Sequence, residues 1–100
     1  MTIEALKVGS TAIVEYSDED EDLNEFLDTF GNRIVITEVE RDNGELTGNF
    51  WGVNLTHKVH CPYHIEYRDV TYIHEDNIDV SKFDDFKYVE MNSDGEFVEV

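Results

Sequence analysis

Eight carboxylates and no basic residue fall within positions 15–28 of this 100-residue chain: Glu15, Asp18, Glu19, Asp20, Glu21, Asp22, Glu25 and Asp28. An unpaired carboxylate is costly to take out of water, so this segment must lie at the surface and the core must come largely from elsewhere. It nevertheless holds its own anchor. Leu23, Phe26, Leu27 and Phe30 recur at i, i+3, i+4 and i+7, the spacing of one face of a helix. The pattern predicts one short acidic helix over about 20–30, apolar on one side and charged on the other. Ser17 or Asp18 is expected to cap it, the acids suit its positive N-terminal end, and Gly31 supplies the stop.

The rest of the charge is equally uneven. Of a net −17, residues 74–100 carry −7, with nine acids against Lys82 and Lys87, while residues 29–73 carry only −2. Such concentrations of like charge repel and destabilise a compact state, which points to a surface meant for something strongly basic. Nucleic acid and the anionic cytoplasmic leaflet would both be repelled. A DNA-binding protein, a basic peptide or divalent cations are the natural complements. An apolar fraction of 40% with 12% aromatics excludes a disordered acidic tail, and the length fits a single domain, 1–100. The lone Cys61 fits a reducing compartment, and no apolar run has the length of a signal peptide or a membrane span. The expected location is the cytoplasm, the host's if the chain is phage-encoded.

Most of the remainder reads as strand. Thr11–Tyr16 alternates and is β-branched. Arg33–Arg41 is a strong strand, and Asp42-Asn43-Gly44 signals a hairpin whose second strand is expected to begin only at Gly48 or Asn49. Phe50–Leu55 follows, with Gly52 marking a bulge or a close backbone approach and Trp51 assigned to the core. The loop 56–62 should hold His57 and His60. Tyr63, Ile65 and Tyr67 share one face of a short strand, Asp69 breaks the pattern, and Val70–Ile73 resumes it. Phe86–Met91 and Glu96–Val100 flank Asn92-Ser93-Asp94-Gly95 as a hairpin. The expected fold is mainly β (α+β).

This order, a strand, a charged excursion, a long strand, a turn, the FWGV strand and then YxIxYxDVTYI, resembles an SH3-like small barrel over residues 6–73. In such barrels the first long loop is often acidic, and a short strand pair crosses over at a tight turn, here Tyr67-Arg68-Asp69-Val70. Residues 74–100 fall outside the pattern as an acidic C-terminal extension ending in the β-hairpin. In size, charge and β content the chain is also similar to small acidic bacteriophage proteins that mimic DNA and block glycosylases, nucleoid proteins such as HU, restriction enzymes or Cas effectors. That similarity implies a function by competition with DNA.

Four constellations bear on chemistry. The acids Asp18, Glu19, Asp20, Glu21, Asp22, Glu25 and Asp28, with Asp76, Asp79, Asp84 and Asp85 second, are candidates to replace phosphates on a basic protein, since duplex DNA carries about one charge per 1.7 Å. Their bland reading is a solvated helix face. Phe83 and Phe86, spaced by two aspartates, are candidate exposed anchors for a basic-rimmed partner. Most of Tyr63, Tyr67, Tyr72, Tyr88 and Phe97 are expected in the core. His57, His60, Cys61 and His64 could ligate zinc, although all four share one short stretch where a structural site draws on two separated knuckles. Asp18-x-Asp20-x-Asp22 fails as a calcium loop, because Leu23 and Thr29 stand where glycine and glutamate are needed. No G-x-S-x-G, HExxH or glycine-rich phosphate loop occurs.

The expectation is therefore a non-catalytic DNA mimic without cofactor, antagonising a basic DNA-binding protein, with an HU-like nucleoid protein plausible and a homodimer possible. The alternatives are an SH3-like adaptor or assembly module that grips a peptide or subunit through its aromatics, and a small zinc-binding protein.

Overall fold

The alternating segments 33–42 and 45–54 form the central hairpin of the structure, a computed structural model that describes residues 2–100. These two strands, β2 (Arg33–Asp42) and β3 (Glu45–Asn54), join with Asp42 opposite Glu45, so the loop is only Asn43-Gly44. Both loop residues have positive φ, 51° and 83°, the left-handed geometry of the tight turn whose twist matches a hairpin. β3 therefore begins at Glu45, earlier than the expected Gly48 or Asn49. Gly48, at φ 101°, sits within a register irregularity between Leu46 and Phe50 and does not end the strand.

Eight strands assemble as β6-β1-β2-β3-β4-β7-β8, with β5 also on β3. The others are β1 (Thr11–Val14), β4 (Val59–His60), β5 (Ile65–Glu66), β6 (Val70–His74), β7 (Lys87–Met91) and β8 (Phe97–Glu99). Every pairing is antiparallel except β4 with β7. The fold is mainly β with one helix, and the sheet does not close: β6 and β8 are its two ends. A 3₁₀ turn at Tyr67–Asp69 carries the chain from β5 to β6.

The sheet has two apolar faces because side chains alternate along each strand. Ile34, Ile36, Ala12, Val14 and Phe50 point to the larger core, which the helix α1 (Glu21–Phe30) covers with Leu23, Phe26 and Leu27. Val35 and Val53 point the other way, under a strap whose Ile78, Val80, Phe83 and Phe86 make a second, smaller cluster. Gly52 lies between the faces. A Cβ there would come within 2.3 Å of the Val35 carbonyl oxygen and 2.4 Å of Ile34 Cγ2, so the close approach is real and only glycine fits. The register shift beside it falls on the partner strand, between Ile36 and Glu38. No helix among the described residues is long and apolar enough to cross a membrane.

Candidate functional site

The acidic segment is held in place before the helix starts. Ser17 N–H donates to Asn24 Oδ1 at 2.8 Å, and Asn24 Nδ2 donates back to the Ser17 carbonyl at 2.7 Å. This reciprocal pair pins the lead-in to the first turns of α1. The Ser17 side chain does not cap the helix: its Oγ accepts from Glu19 N–H at 3.2 Å, before α1 begins. The N-cap is Asp20, whose Oδ1 accepts from Leu23 N–H at 3.0 Å, two residues beyond Asp18. At the other end Gly31 N–H closes on the Leu27 carbonyl at 2.8 Å, and buried Asn54 donates Nδ2 to the Phe30 carbonyl at 2.8 Å, satisfying one of the open helix carbonyls.

Packing fixes which side of α1 faces out. At 100° per residue, Leu23, Phe26, Leu27 and Phe30 centre on one side, and Glu21, Glu25 and Asp28 fall within about 60° of one another on the opposite side. All three are exposed, as is Asp22 at the edge of the stripe. Burial of Leu23, Phe26 and Leu27 contributes about 5–9 kcal/mol before entropy is counted, enough to hold a helix whose outer face repels itself. Phe26 and Phe30 also meet Phe97 of β8, with ring centroids 5.6 and 5.7 Å apart, so the C-terminal hairpin packs against the helix.

The carboxylates of the segment do different jobs. Glu19 is engaged by Arg68, which also holds Glu66, at 2.5 and 2.6 Å; these are the only ion pairs among the described residues. Asp20 caps. Glu21 and Asp22 sit at the favourable end of the helix dipole. Glu25 and Asp28 have no such role. Glu25 has like charges at i−4, i−3 and i+3, and Asp28 lies in the last turn, where the dipole is negative and no base stands. The local field is negative enough to act on a neighbour: burial first, and then the charge of Asp22, push the Tyr63 phenol above its ordinary range.

The second acidic segment is divided. Its strap, with Asp76, Asp79, Asp84 and Asp85, runs over the face of the sheet away from α1, while its hairpin lies beside α1. Asp76 accepts from Thr11 Oγ1 at 2.8 Å, and Asp79 caps the 3₁₀ turn Val80–Phe83 through Ser81. The strap acids thus do not join the helix acids on one surface. Phe83 is not the exposed anchor its flanking aspartates suggested. It is buried against Val35 and Val53, because the strap needs an apolar residue facing inward, and Phe86 is half-buried beside it, ring centroids 4.8 Å apart.

The histidines and the cysteine are not gathered. His57 meets the Phe30 ring, His60 stacks on Tyr88, and His64 lies beside Trp51. Cys61 is buried, its Sγ 3.5 Å from the Tyr63 carbonyl, and burial pushes its thiol up to about 12. It therefore stays protonated near neutral pH and is neither a ready nucleophile nor a ready ligand. Among the described residues no three His, Cys, Asp or Glu side chains are placed to hold a metal ion.

Tyr63, Tyr67 and Phe97 pack on the core, so most of the aromatic set lies there as expected, but Trp51 departs from the core assigned to it. Tyr72 and Tyr88 are exposed, and Trp51 is only half-buried, because it follows core-facing Phe50 and so points to the outer face. His60 belongs to β4 and not to a loop. No protein-family model, curated protein or solved structure matches this chain.

Proposed function

We propose that the chain is a non-catalytic cytoplasmic binding protein whose α1 face docks on the basic, nucleic-acid-binding surface of another protein. The observation that carries this is the outward stripe of Glu21, Asp22, Glu25 and Asp28, exposed and without a cation among the described residues. From Glu21 to Asp28 the helix rises about 10 Å, with Glu21, Glu25 and Asp28 in line at steps of about 6 and 4.5 Å and Asp22 beside them. Projected on its axis, duplex DNA carries about one phosphate charge per 3.4 Å on each strand, a linear density of the same order. Glu25 and Asp28 oppose helix stability, so their presence calls for a use outside the fold. The rigid lead-in and the apolar anchoring hold the stripe without the ordering cost a flexible acidic tail would bear.

The same reading takes residues 6–73 as a variant of the SH3-like small barrel, opened at one seam. The strand order β6-β1-β2-β3, β5 on β3 and the 3₁₀ turn at Tyr67–Asp69 support it. The long connection between β1 and β2, which holds α1 in this chain, would be the variable element carrying the function.

The test is displacement. A fluorescent DNA duplex bound to a purified HU-type nucleoid protein should be released by the wild-type chain, and the release should weaken steeply with added salt. The variant Glu21→Gln/Asp22→Asn/Glu25→Gln/Asp28→Asn should release far less. Equal release by both proteins would remove α1 as the contact.

A further inference from the structure

The outer face of the sheet is only partly covered by the strap. Beyond Phe86 it opens into a cleft of about 310 Å³ lined by Thr37, Glu38, Trp51, His60, Pro62 and Tyr88 among others. Alternation explains the lining. Phe50, Val59 and Val89 face the core, so their neighbours Trp51, His60 and Tyr88 face out, and the parallel pairing of β4 with β7 sets His60 beside Tyr88. The two rings stack with centroids 4.1 Å apart and planes within 4°. His60 is fixed from behind by the strap: its Nε2 lies 3.1 Å from the Phe83 carbonyl oxygen. A carbonyl only accepts, so Nε2 carries the hydrogen. On the far side the bulge in β2 brings Glu38 opposite Trp51, and Thr37 Oγ1 donates to the Trp51 carbonyl at 3.3 Å.

We propose that this cleft receives an arginine side chain of a protein or peptide, its guanidinium plane against the aromatic faces and its N–H groups toward the Glu38 carboxylate. Aromatic faces are electron-rich and attract a cation, and arginine stacks on them better than lysine because it is flat and weakly hydrated. Glu38 is exposed and has no cation among the described residues, so its two oxygens are free to accept a forked pair of N–H bonds. An apolar side chain would desolvate Glu38 without compensation. The net charge of −17 favours a cation over any other polar occupant. The cleft lies on the sheet face away from α1, so this site goes beyond the proposed α1 contact and does not rest on it.

Trp51 is the only tryptophan, so its fluorescence reports on the cleft directly. The probes are acetyl-Gly-Arg-Gly-amide and its lysine and citrulline counterparts, the last a neutral near-isostere of arginine. The arginine peptide should give a saturable change, the lysine peptide a weaker one, and the citrulline peptide binding at least about tenfold weaker. Glu38→Gln and Tyr88→Leu, both at exposed positions, should each weaken the arginine peptide about 2- to 5-fold. Glu25→Gln/Asp28→Asn should leave it unchanged. The proposal is overturned by no saturable change, by equal binding of the citrulline or lysine peptide, or by equal weakening in the α1 and Glu38 variants, which would mark diffuse attraction to an acidic protein.

Discussion

Removing two charges from α1 should make this protein more stable. The double variant Glu25→Gln/Asp28→Asn leaves shape and helix propensity nearly unchanged, since Gln matches Glu and Asn matches Asp in a helix interior. It abolishes three like-charge pairs, Glu21–Glu25, Asp22–Glu25 and Glu25–Asp28, each costing about 0.2–0.5 kcal/mol. It also removes a negative charge from the last turn, where the dipole penalty is about 0.3–1 kcal/mol. None of these is offset by a cation, because the only ion pairs among the described residues belong to Arg68. The expected gain is about 1–2 kcal/mol at low ionic strength, or about 5–10 °C in melting temperature for a domain of this size. Thermal unfolding followed by circular dichroism at low and high salt measures it. Half a molar salt should raise the wild-type melting temperature and erase most of the difference, since the Debye length then falls below about 5 Å. A variant no more stable than wild type at low salt would refute the reasoning, because the acids would then carry no local cost for function to explain.

Other outcomes follow from the same geometry. Gly52→Ala should cost about 3 kcal/mol in denaturant unfolding, since its Cβ would overlap the Val35 carbonyl. Gly44→Ala, with open space and only an unfavourable φ of 83°, should cost about 1 kcal/mol. Cys61 should react with a disulfide reagent more than about a hundredfold slower in the native protein than in urea, because burial holds the thiol protonated. Asp69 has its carboxyl raised, first by burial, with Arg68 opposing and Glu66 adding to the rise. A raised acid is penalised in the folded state above its folded pKa and unpenalised below its unfolded one. Asp69→Asn should therefore stabilise at neutral pH, and the difference should vanish near about pH 3 in urea titrations.

What could be seen in advance divides by range. The i, i+3, i+4, i+7 stripe of Leu23, Phe26, Leu27 and Phe30 sufficed for α1, and Asn43-Gly44 for the central hairpin, because each is a local pattern with a local cause. The cap falls on Asp20 because Asn24, seven residues on, holds the Ser17 backbone in the lead-in, where the Ser17 Oγ accepts from Glu19 N–H and not from the helix. Phe83 could not be told from an exposed anchor, since the valines that bury it come from β2 and β3, far back in the sequence. The cleft was invisible for the same reason. His60 and Tyr88 meet only through a parallel pairing of two short strands, and Glu38 reaches Trp51 through a bulge that leaves no mark on local composition. The acids themselves were plain in the sequence. Their division, helix and hairpin on one side and strap on the other, needed the topology.

The most direct test of the central claim is capture from a cell lysate on immobilised wild-type chain and on the variant Glu21→Gln/Asp22→Asn/Glu25→Gln/Asp28→Asn, each eluted with duplex DNA and identified by mass spectrometry. A docking face on α1 predicts DNA-binding proteins that are held by the wild type, released by DNA, and lost on the variant while its fold is retained. The same proteins held equally by both, or indifferent to DNA, would contradict it.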